Sequence, residues 1–133
     1  MARPSFLSEM LRYPERSYEL VNAGAGGVVA GRVELAVDSE SRRRGLLGRD
    51  VFEPGSALII APCSSIHTFF MRFAIDVIFV ARDGRVLKTC ADMAARRIAV
   101  RIGAFAVVEL PAGTLARAEA KPGDVLRLTA QQT

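Results

Sequence analysis

The chain of 133 residues has no tryptophan, a single histidine and only two cysteines. Two cysteines are too few for the disulfide framework that holds many small secreted domains together. No segment approaches the ~20 consecutive apolar residues of a membrane span. The N-terminal segment carries Glu9, Arg12 and Glu15, which a secretory signal would not contain. These absences predict a cytoplasmic protein with reduced thiols and no membrane association.

What the chain does contain is typical of a single globular domain. Hydrophobic residues make up 50% of it and charged residues 24%, a balance that excludes intrinsic disorder. We expect residues 17–133 to form one domain. Residues 1–16 are expected to be a leader that packs on it, because four apolar residues fall on one helical face. They are Phe6, Leu7, Met10 and Leu11.

The formal net charge of +4 raises the question of nucleic acid. Acidic residues are interleaved with the basic ones, except in the short runs 42–44 and 96–97, where arginines are adjacent. There is no alternation of aromatic and basic residues that would stack bases. The sequence therefore argues against a nucleic-acid partner, and it leaves an unknown small molecule or protein as the expected one.

Strand patterns dominate the body of the chain. Between Val28 and Val37 apolar side chains alternate with polar ones, which indicates a half-buried strand. Further short strands are expected over residues 57–61, 67–71, 75–81 and 106–110, and turn signals recur about every ten residues. No long crossover helix is available for a parallel sheet. The expected fold is mostly β, a compact antiparallel β-sandwich or barrel with one or two short helices.

Helix signals are short and local. Asp38-Ser39 supplies N-cap chemistry for a helix over about residues 40–47, which Gly48 would end. A second short helix is expected over 111–120. Asp83-Gly84 predicts a hairpin between two strands.

Asp76 is the sharpest clue to a site, because it lies within the apolar run 75–81. A buried carboxylate is costly unless it is paired or hydrogen-bonded. Arg42, Arg49 and Arg72 are candidate partners in a structural ion pair. Alternatively, Asp76 orients His67 or a ligand.

His67 could act as a general acid or base, or it could be a strand histidine bonded to backbone. A nucleophilic Cys63 activated by His67 is disfavoured, since about 13 Å separates residues four apart in an extended strand. Cys63, His67, Cys90 and Asp92 lack the paired spacing of a zinc site. We therefore expect no metal, and no cofactor motif is present.

Several motifs, taken in order, resemble one known family. They are Arg42-x-x-Gly-Leu-Leu-x-Arg49, Ala57-Leu-Ile-Ile60, Phe70-Met-Arg-x-x-Ile-Asp-Val-x-Phe79, Asp83-Gly-x-Val86, Glu109-Leu-Pro-Ala-Gly113 and Gly123-Asp124. This pattern resembles the domain of unknown function 192 family, in its variant Pro-Cys-x-x-Ile-His-Thr-Phe-Phe-Met, from about residue 18 to residue 128.

The resemblance implies a compact β-sandwich or barrel and no established activity. The sequence departs from the family pattern at two places. Leu47 stands where methionine is usual, and the segment 90–97 lacks the proline that commonly follows the hairpin. It marks seven positions without giving them roles: Arg42, Arg49, His67, Met71, Arg72, Asp76 and Glu109.

Three functional hypotheses remain open. The first is a ligand-binding or protein-interaction module, with an apolar patch near Phe69 and binding residues Arg42, Arg49, Phe70, Met71 and Arg72. The second is a hydrolase or lyase acting on a small anionic substrate, with His67 and Asp76 as catalytic candidates and arginines as the anchor. The third is a structural or scaffold role for these same polar residues. Oligomeric state is not readable from the sequence.

Overall fold

The chain is described by a computed structural model over residues 3–25 and 27–131. Outside this description lie residues 1 and 2 of the expected leader and residues 26, 132 and 133 of the expected domain. The described residues form ten strands and three short helices, so the expectation of a mostly-β fold is confirmed. The strands are β1 Tyr18–Asn22, β2 Gly27–Ala30, β3 Arg32–Ala36, β4 Ser56–Ile60, β5 Ser65–His67, β6 Ile75–Val80, β7 Val86–Met93, β8 Ile98–Val100, β9 Ala106–Pro111 and β10 Leu126–Ala130. The helices are α1 Ser8–Arg12, α2 Ser39–Arg44 and α3 Thr114–Ala118.

A five-stranded sheet in the order β3-β4-β9-β6-β7 organises the molecule. A three-stranded sheet, β10-β1-β2, and a two-stranded sheet, β5-β8, complete the described strands. Strands β3 and β4 pair in parallel, whereas the other pairs among the described strands are antiparallel. The purely antiparallel expectation is therefore wrong for this pair. A parallel pair needs a crossover connection, and the segment between β3 and β4, which contains α2, supplies it.

The two faces of the five-stranded sheet bury different groups of residues, because side chains alternate along each strand. One face packs against the leader, the three-stranded sheet and α3, through residues such as Leu7, Leu20 and Leu115. The other packs against the segment after α2 and the β5–β8 sheet, through Leu46 and Ile66. The candidate site lies on this second face.

The predicted strand over Val28–Val37 is two strands in different sheets. The break falls at Gly31, where the backbone amides of Gly31 and Arg32 both donate to the carbonyl of Gly55. The alternating pattern continues across the break, so it could not reveal the change of sheet.

Helix α2 begins as predicted and ends earlier. The Asp38 carboxylate accepts a hydrogen bond from the Ser41 amide at 2.8 Å, which is the expected N-cap. The helix ends at Arg44, and Gly45 follows with φ +48°. The prediction that it continues to Leu47 is wrong, because the positive φ of Gly45 ends the helix three residues before Leu47, at Arg44.

The predicted strand over residues 67–71 is also wrong, because β5 ends at His67. The Thr68 hydroxyl donates to the carbonyl of Ala94 at 2.6 Å and accepts from the Arg97 amide at 2.8 Å. These bonds hold Thr68 in place, and Phe70 adopts φ +66°. The chain therefore turns here.

The leader packs on the body through α1 and the residues before it. Leu7 and Met10 are buried, and the Phe6 amide donates to the carbonyl of Arg82. The Tyr18 hydroxyl donates to the carbonyl of Tyr13 at 3.0 Å. None of the helices within residues 3–25 and 27–131 is long and apolar enough to span a membrane.

Candidate functional site

A cavity of about 170 Å³ opens on the second face of the five-stranded sheet, beneath α2. Its walls combine apolar side chains, three consecutive arginines and a small group of polar side chains. The lining residues are Arg42, Arg43, Arg44, Gly45, Leu46, Leu47, Ile60, Cys63, Ser65, Ile66, His67, Met71 and Glu109. Apolar walls with a few convergent polar groups are typical of small-molecule sites.

Glu109 is the buried acidic residue of this cavity. It is only 4% exposed, and its Oε2 atom has no hydrogen-bond partner among the described residues. Burial raises the pKa of its carboxyl group to about 7, although the positive charge of Arg49 acts in the opposite direction. Near neutral pH this group can therefore give or take a proton.

The register of the sheet explains why Glu109 faces the cavity. It lies on β9, directly opposite Leu58 of β4 and Val77 of β6. Residues that are directly opposite share a face, so Glu109 has apolar neighbours on both sides. Glu34 of β3 continues the same row beyond Leu58.

Arg49 is held beside this row by a bidentate ion pair. Its Nη1 and Nη2 atoms each donate to a carboxylate oxygen of Glu34 at 3.0 Å. The ion pair lowers the pKa of Glu34 and raises that of Arg49. Arg49 therefore acts on Glu109 through its charge, while its hydrogen bonds go to Glu34.

Arg42 lies at the opening of the cavity, at the C-terminal end of α2. Its Nη1 atom donates to the carbonyl of Pro62 at 3.2 Å, and its Nε atom to the carbonyl of Asp38 at 3.4 Å. The side chain is half-buried, whereas Arg43 and Arg44 are exposed. The opening therefore carries positive charge.

Cys63 and His67 line the same cavity. The Cys63 thiol donates to the carbonyl of Ser65 at 3.0 Å, and burial raises its pKa, so it is a poor nucleophile at neutral pH. His67 is exposed, and its ring lies 5.7 Å from that of Phe69.

Asp76 is on the opposite face of the sheet and does not line the cavity. Its Oδ1 atom accepts from the Asp92 amide, and its Oδ2 atom from the Leu115 amide, both at 2.8 Å. No ion pair with an arginine is found among the described residues. The expected arginine partner is therefore wrong, because backbone amides occupy both oxygens.

Both amides that Asp76 binds would otherwise lack a partner. Strand β7 has a bulge here, since Ile75 pairs with Met93 while Val77 pairs with Cys90, and a bulge leaves one residue unpaired. Leu115 belongs to the first turn of α3, where amides have no partner within the helix. Asp76 thus joins the bulge to the start of α3.

The other predicted binding residues are divided between the cavity and the surface. Met71 is buried and lines the cavity, whereas Phe70 is 88% exposed. Arg72 forms an exposed ion pair with Asp50. Within residues 3–25 and 27–131, no cluster of three or more acidic, cysteine or histidine side chains could hold a metal ion.

Glu109 is not among the binding or catalytic residues predicted from the sequence, where only the family resemblance marks its position. A signal was available, because Glu109 interrupts the apolar run 106–110 just as Asp76 interrupts 75–81. The unpaired state of its carboxyl group depends on residues distant in the chain, and a local pattern does not show it.

The chain belongs to the domain of unknown function 192 family (DUF192, an uncharacterized ACR), whose model matches residues 21–128. No functionally curated protein matches it.

Two solved structures are similar over most of the chain. One, from Sinorhizobium meliloti 1021, is a protein provisionally described as a transcription regulator; it is 26% identical, with a TM-score of 0.74 over 85% of this chain and 92% of that one. The other, a protein of unknown function from Novosphingobium aromaticivorans DSM 12444, is 25% identical, with a TM-score of 0.71 over 84% and 83%. These similarities support the fold and assign no activity.

Proposed function

We propose that this protein is a small-molecule-binding module and that the cavity beneath α2 is its binding site. The observation that carries the proposal is the buried Glu109 carboxyl, whose Oε2 atom has no hydrogen-bond partner within residues 3–25 and 27–131. A buried polar atom without a hydrogen bond lowers stability unless something else satisfies it. A bound ligand would supply the missing partner.

The cavity walls suggest the general chemistry of this ligand. Leu46, Ile60 and Met71 offer an apolar surface to its body. The arginines at the opening would hold an anionic group, since guanidinium pairs well with carboxylate and phosphate. Of the predicted binding residues, Arg42 and Met71 belong to this site, and Arg49 contributes through its charge on Glu109.

A fragment screen followed by protein NMR would test this function. Chemical-shift changes should concentrate at Ile60, Cys63, Ile66 and Met71, and they should weaken in Glu109→Gln, which keeps the side-chain size and removes the charge. Glu53→Gln, the same change at an exposed position, is the matched control and should bind as the wild type does. Fragments that bind equally well to Glu109→Gln, or that shift only surface residues, would contradict the proposal.

Catalysis is a second candidate, and the pKa of Glu109 favours it. A carboxyl group with a pKa of about 7 is suited to general acid–base chemistry near neutral pH, and His67 lines the same cavity. Glu109 replaces Asp76 in this version of the hydrolase or lyase hypothesis. An assayed activity that survives both Glu109→Gln and His67→Ala would rule it out.

A protein-interaction role has support from a different surface. Phe70, Ile98 and Ile102 are 88%, 66% and 83% exposed, in β8 or just beyond the ends of the β5–β8 pair, and exposed apolar residues that form one patch can mark an interface. A cytoplasmic location remains part of the proposal, because both cysteines are unpaired.

A further inference from the structure

We propose that the ligand of the cavity carries charges of opposite sign at its two ends, as a short ω-amino acid does. A cationic, hydrogen-bond-donating end would contact Glu109, and an anionic end would contact Arg42. This inference rests on the function proposed above and defines the ligand class for the same site.

The first support is the contrast between the buried and the open end of the cavity. Glu109 lies in the interior, between the apolar side chains of Leu58 and Val77. Arg42 lies at the opening, together with Arg43 and Arg44. An ammonium group is a donor only, and a carboxylate accepts only, so a molecule with both would satisfy the two ends at once.

The second support is Cys63, a lining residue of the cavity on which both charges act. The pKa of its thiol is raised mainly by burial, is further raised by the charge of Glu109 and is lowered by that of Arg42. Both charges therefore act at one wall of the cavity. A ligand that passes Cys63 would be close to each of them.

The third support is that no group among the described residues donates a hydrogen bond to Oε2 of Glu109. Arg49 is the cation whose charge acts on it, and both Nη atoms of Arg49 are engaged by Glu34. Cys63 donates its thiol hydrogen to the Ser65 carbonyl, and His67 is exposed. A donor on the ligand would therefore be the direct partner of the Glu109 carboxyl.

The size of the cavity limits the length of the ligand. Its volume is about 170 Å³, and an apolar cavity of about 150 Å³ is known to hold benzene. The buried part of the ligand then has roughly six to ten non-hydrogen atoms. A five-carbon ω-amino acid falls in this range.

The test is an NMR titration with 5-aminopentanoate, pentanoate and pentylamine, which share one chain and differ only at its ends. The full-length protein should bind 5-aminopentanoate at least about tenfold more tightly than either single-ended probe, which is about 1.4 kcal/mol. Glu109→Gln should remove the advantage over pentanoate, and Arg42→Gln the advantage over pentylamine. Glu53→Gln should change neither.

The pH dependence of ligand affinity distinguishes a Glu109 that contacts the ligand from one with a purely structural role. An ammonium group binds the ionised carboxyl, so affinity should rise with pH until Glu109 is fully ionised. From about pH 5.5 to about pH 8, the ratio of 5-aminopentanoate to pentanoate affinity should rise roughly 30-fold in the wild type and stay constant in Glu109→Gln. Pentanoate corrects for charge changes elsewhere in the cavity, because it has the same chain length and the same carboxylate as 5-aminopentanoate.

The outcomes separate this inference from the function on which it rests. Equal binding of 5-aminopentanoate and pentanoate, or no shift at cavity residues with any of the three probes, would overturn the amphoteric ligand. The binding function would survive that result if fragments of another class still required Glu109. If no fragment depends on Glu109, both proposals fail.

Discussion

Asp76 and Glu109 lie on neighbouring strands of the same sheet, are 1% and 4% exposed, and face opposite sides. Each interrupts an apolar strand with a carboxyl group. The Asp76 carboxylate accepts two backbone hydrogen bonds at 2.8 Å, whereas Oε2 of Glu109 accepts none among the described residues. The two carboxyl groups are thus similarly buried, but within the described part of the chain only that of Asp76 has hydrogen-bond partners at both oxygens.

This difference separates a structural carboxylate from a candidate functional one. Asp76 satisfies amides that a bulge and a helix start leave free, so its burial stabilises the fold. Glu109 lies next to a cavity and lacks such compensation. Proteins retain uncompensated polar groups mainly where function requires them, at a cost in stability.

The largest effect is expected for Asp76→Ala, which leaves the amides of Asp92 and Leu115 without a partner. The Leu115 bond is buried and the Asp92 bond partly buried, and an orphaned buried amide costs about 1–3 kcal/mol. With the lost charge-assisted bonds, we expect the free energy of unfolding to fall by about 3 kcal/mol, measured by denaturant unfolding at neutral pH. Asp76→Asn keeps one acceptor oxygen and should lose less. An unchanged melting temperature for Asp76→Ala would remove the contrast between the two carboxyl groups.

The next effect is the contribution of Glu109 to the pH dependence of stability. The pKa of its carboxyl rises from 4.5 to about 7 on folding, so between these values the folded protein holds a proton that the unfolded chain has lost. The free energy of unfolding therefore falls as the pH rises through this range, by about 3 kcal/mol in total. Glu109→Gln should lack this decline.

Unfolding curves of the wild type and Glu109→Gln across this pH range would measure the effect. The two free energies should run parallel below about pH 4.5 and diverge up to about pH 7, with the variant gaining relative to the wild type. Glu53→Gln, at an exposed position, should follow the wild type throughout. Parallel profiles for wild type and Glu109→Gln would mean that the carboxyl is compensated after all.

The smallest effect concerns Arg49, whose positive charge lowers the pKa of Glu109. Arg49→Gln should raise that pKa further, by less than burial does, because burial is the larger of the two causes. Carboxyl NMR titration of Glu109 would measure the shift. Glu34→Gln breaks the same ion pair but keeps the guanidinium charge, so it should not raise the pKa. A rise in both variants would point to loosened packing.

Local chemistry was readable from the sequence. Asp38 is the N-cap of α2, as its position before Ser39 predicts, and the Asp83-Gly84 hairpin connects β6 and β7. Apolar runs located most strands, because a buried strand must be apolar along much of its length. These features depend on neighbours within a few residues.

The features that the sequence did not reveal depend on distant partners. The turn at Thr68 is held by Ala94 and Arg97, so the aromatic run that follows does not continue the strand as its composition suggests. The choice of backbone amides over arginines at Asp76 depends on a bulge in β7 and on α3. Whether a buried carboxyl group has hydrogen-bond partners depends on the tertiary structure. This difference in partners distinguishes Glu109, which marks the candidate site, from Asp76.

Glu109 belongs to β9, which is paired on both sides in the middle of the five-stranded sheet. By contrast, much of the opening is formed by the crossover that contains α2 and by the short β5 strand. Amides in doubly paired strands exchange with solvent most slowly, and connecting segments open most readily. Substitutions around the opening could therefore diversify what the protein recognises over evolutionary time, while the acidic floor and the fold beneath it stay unchanged.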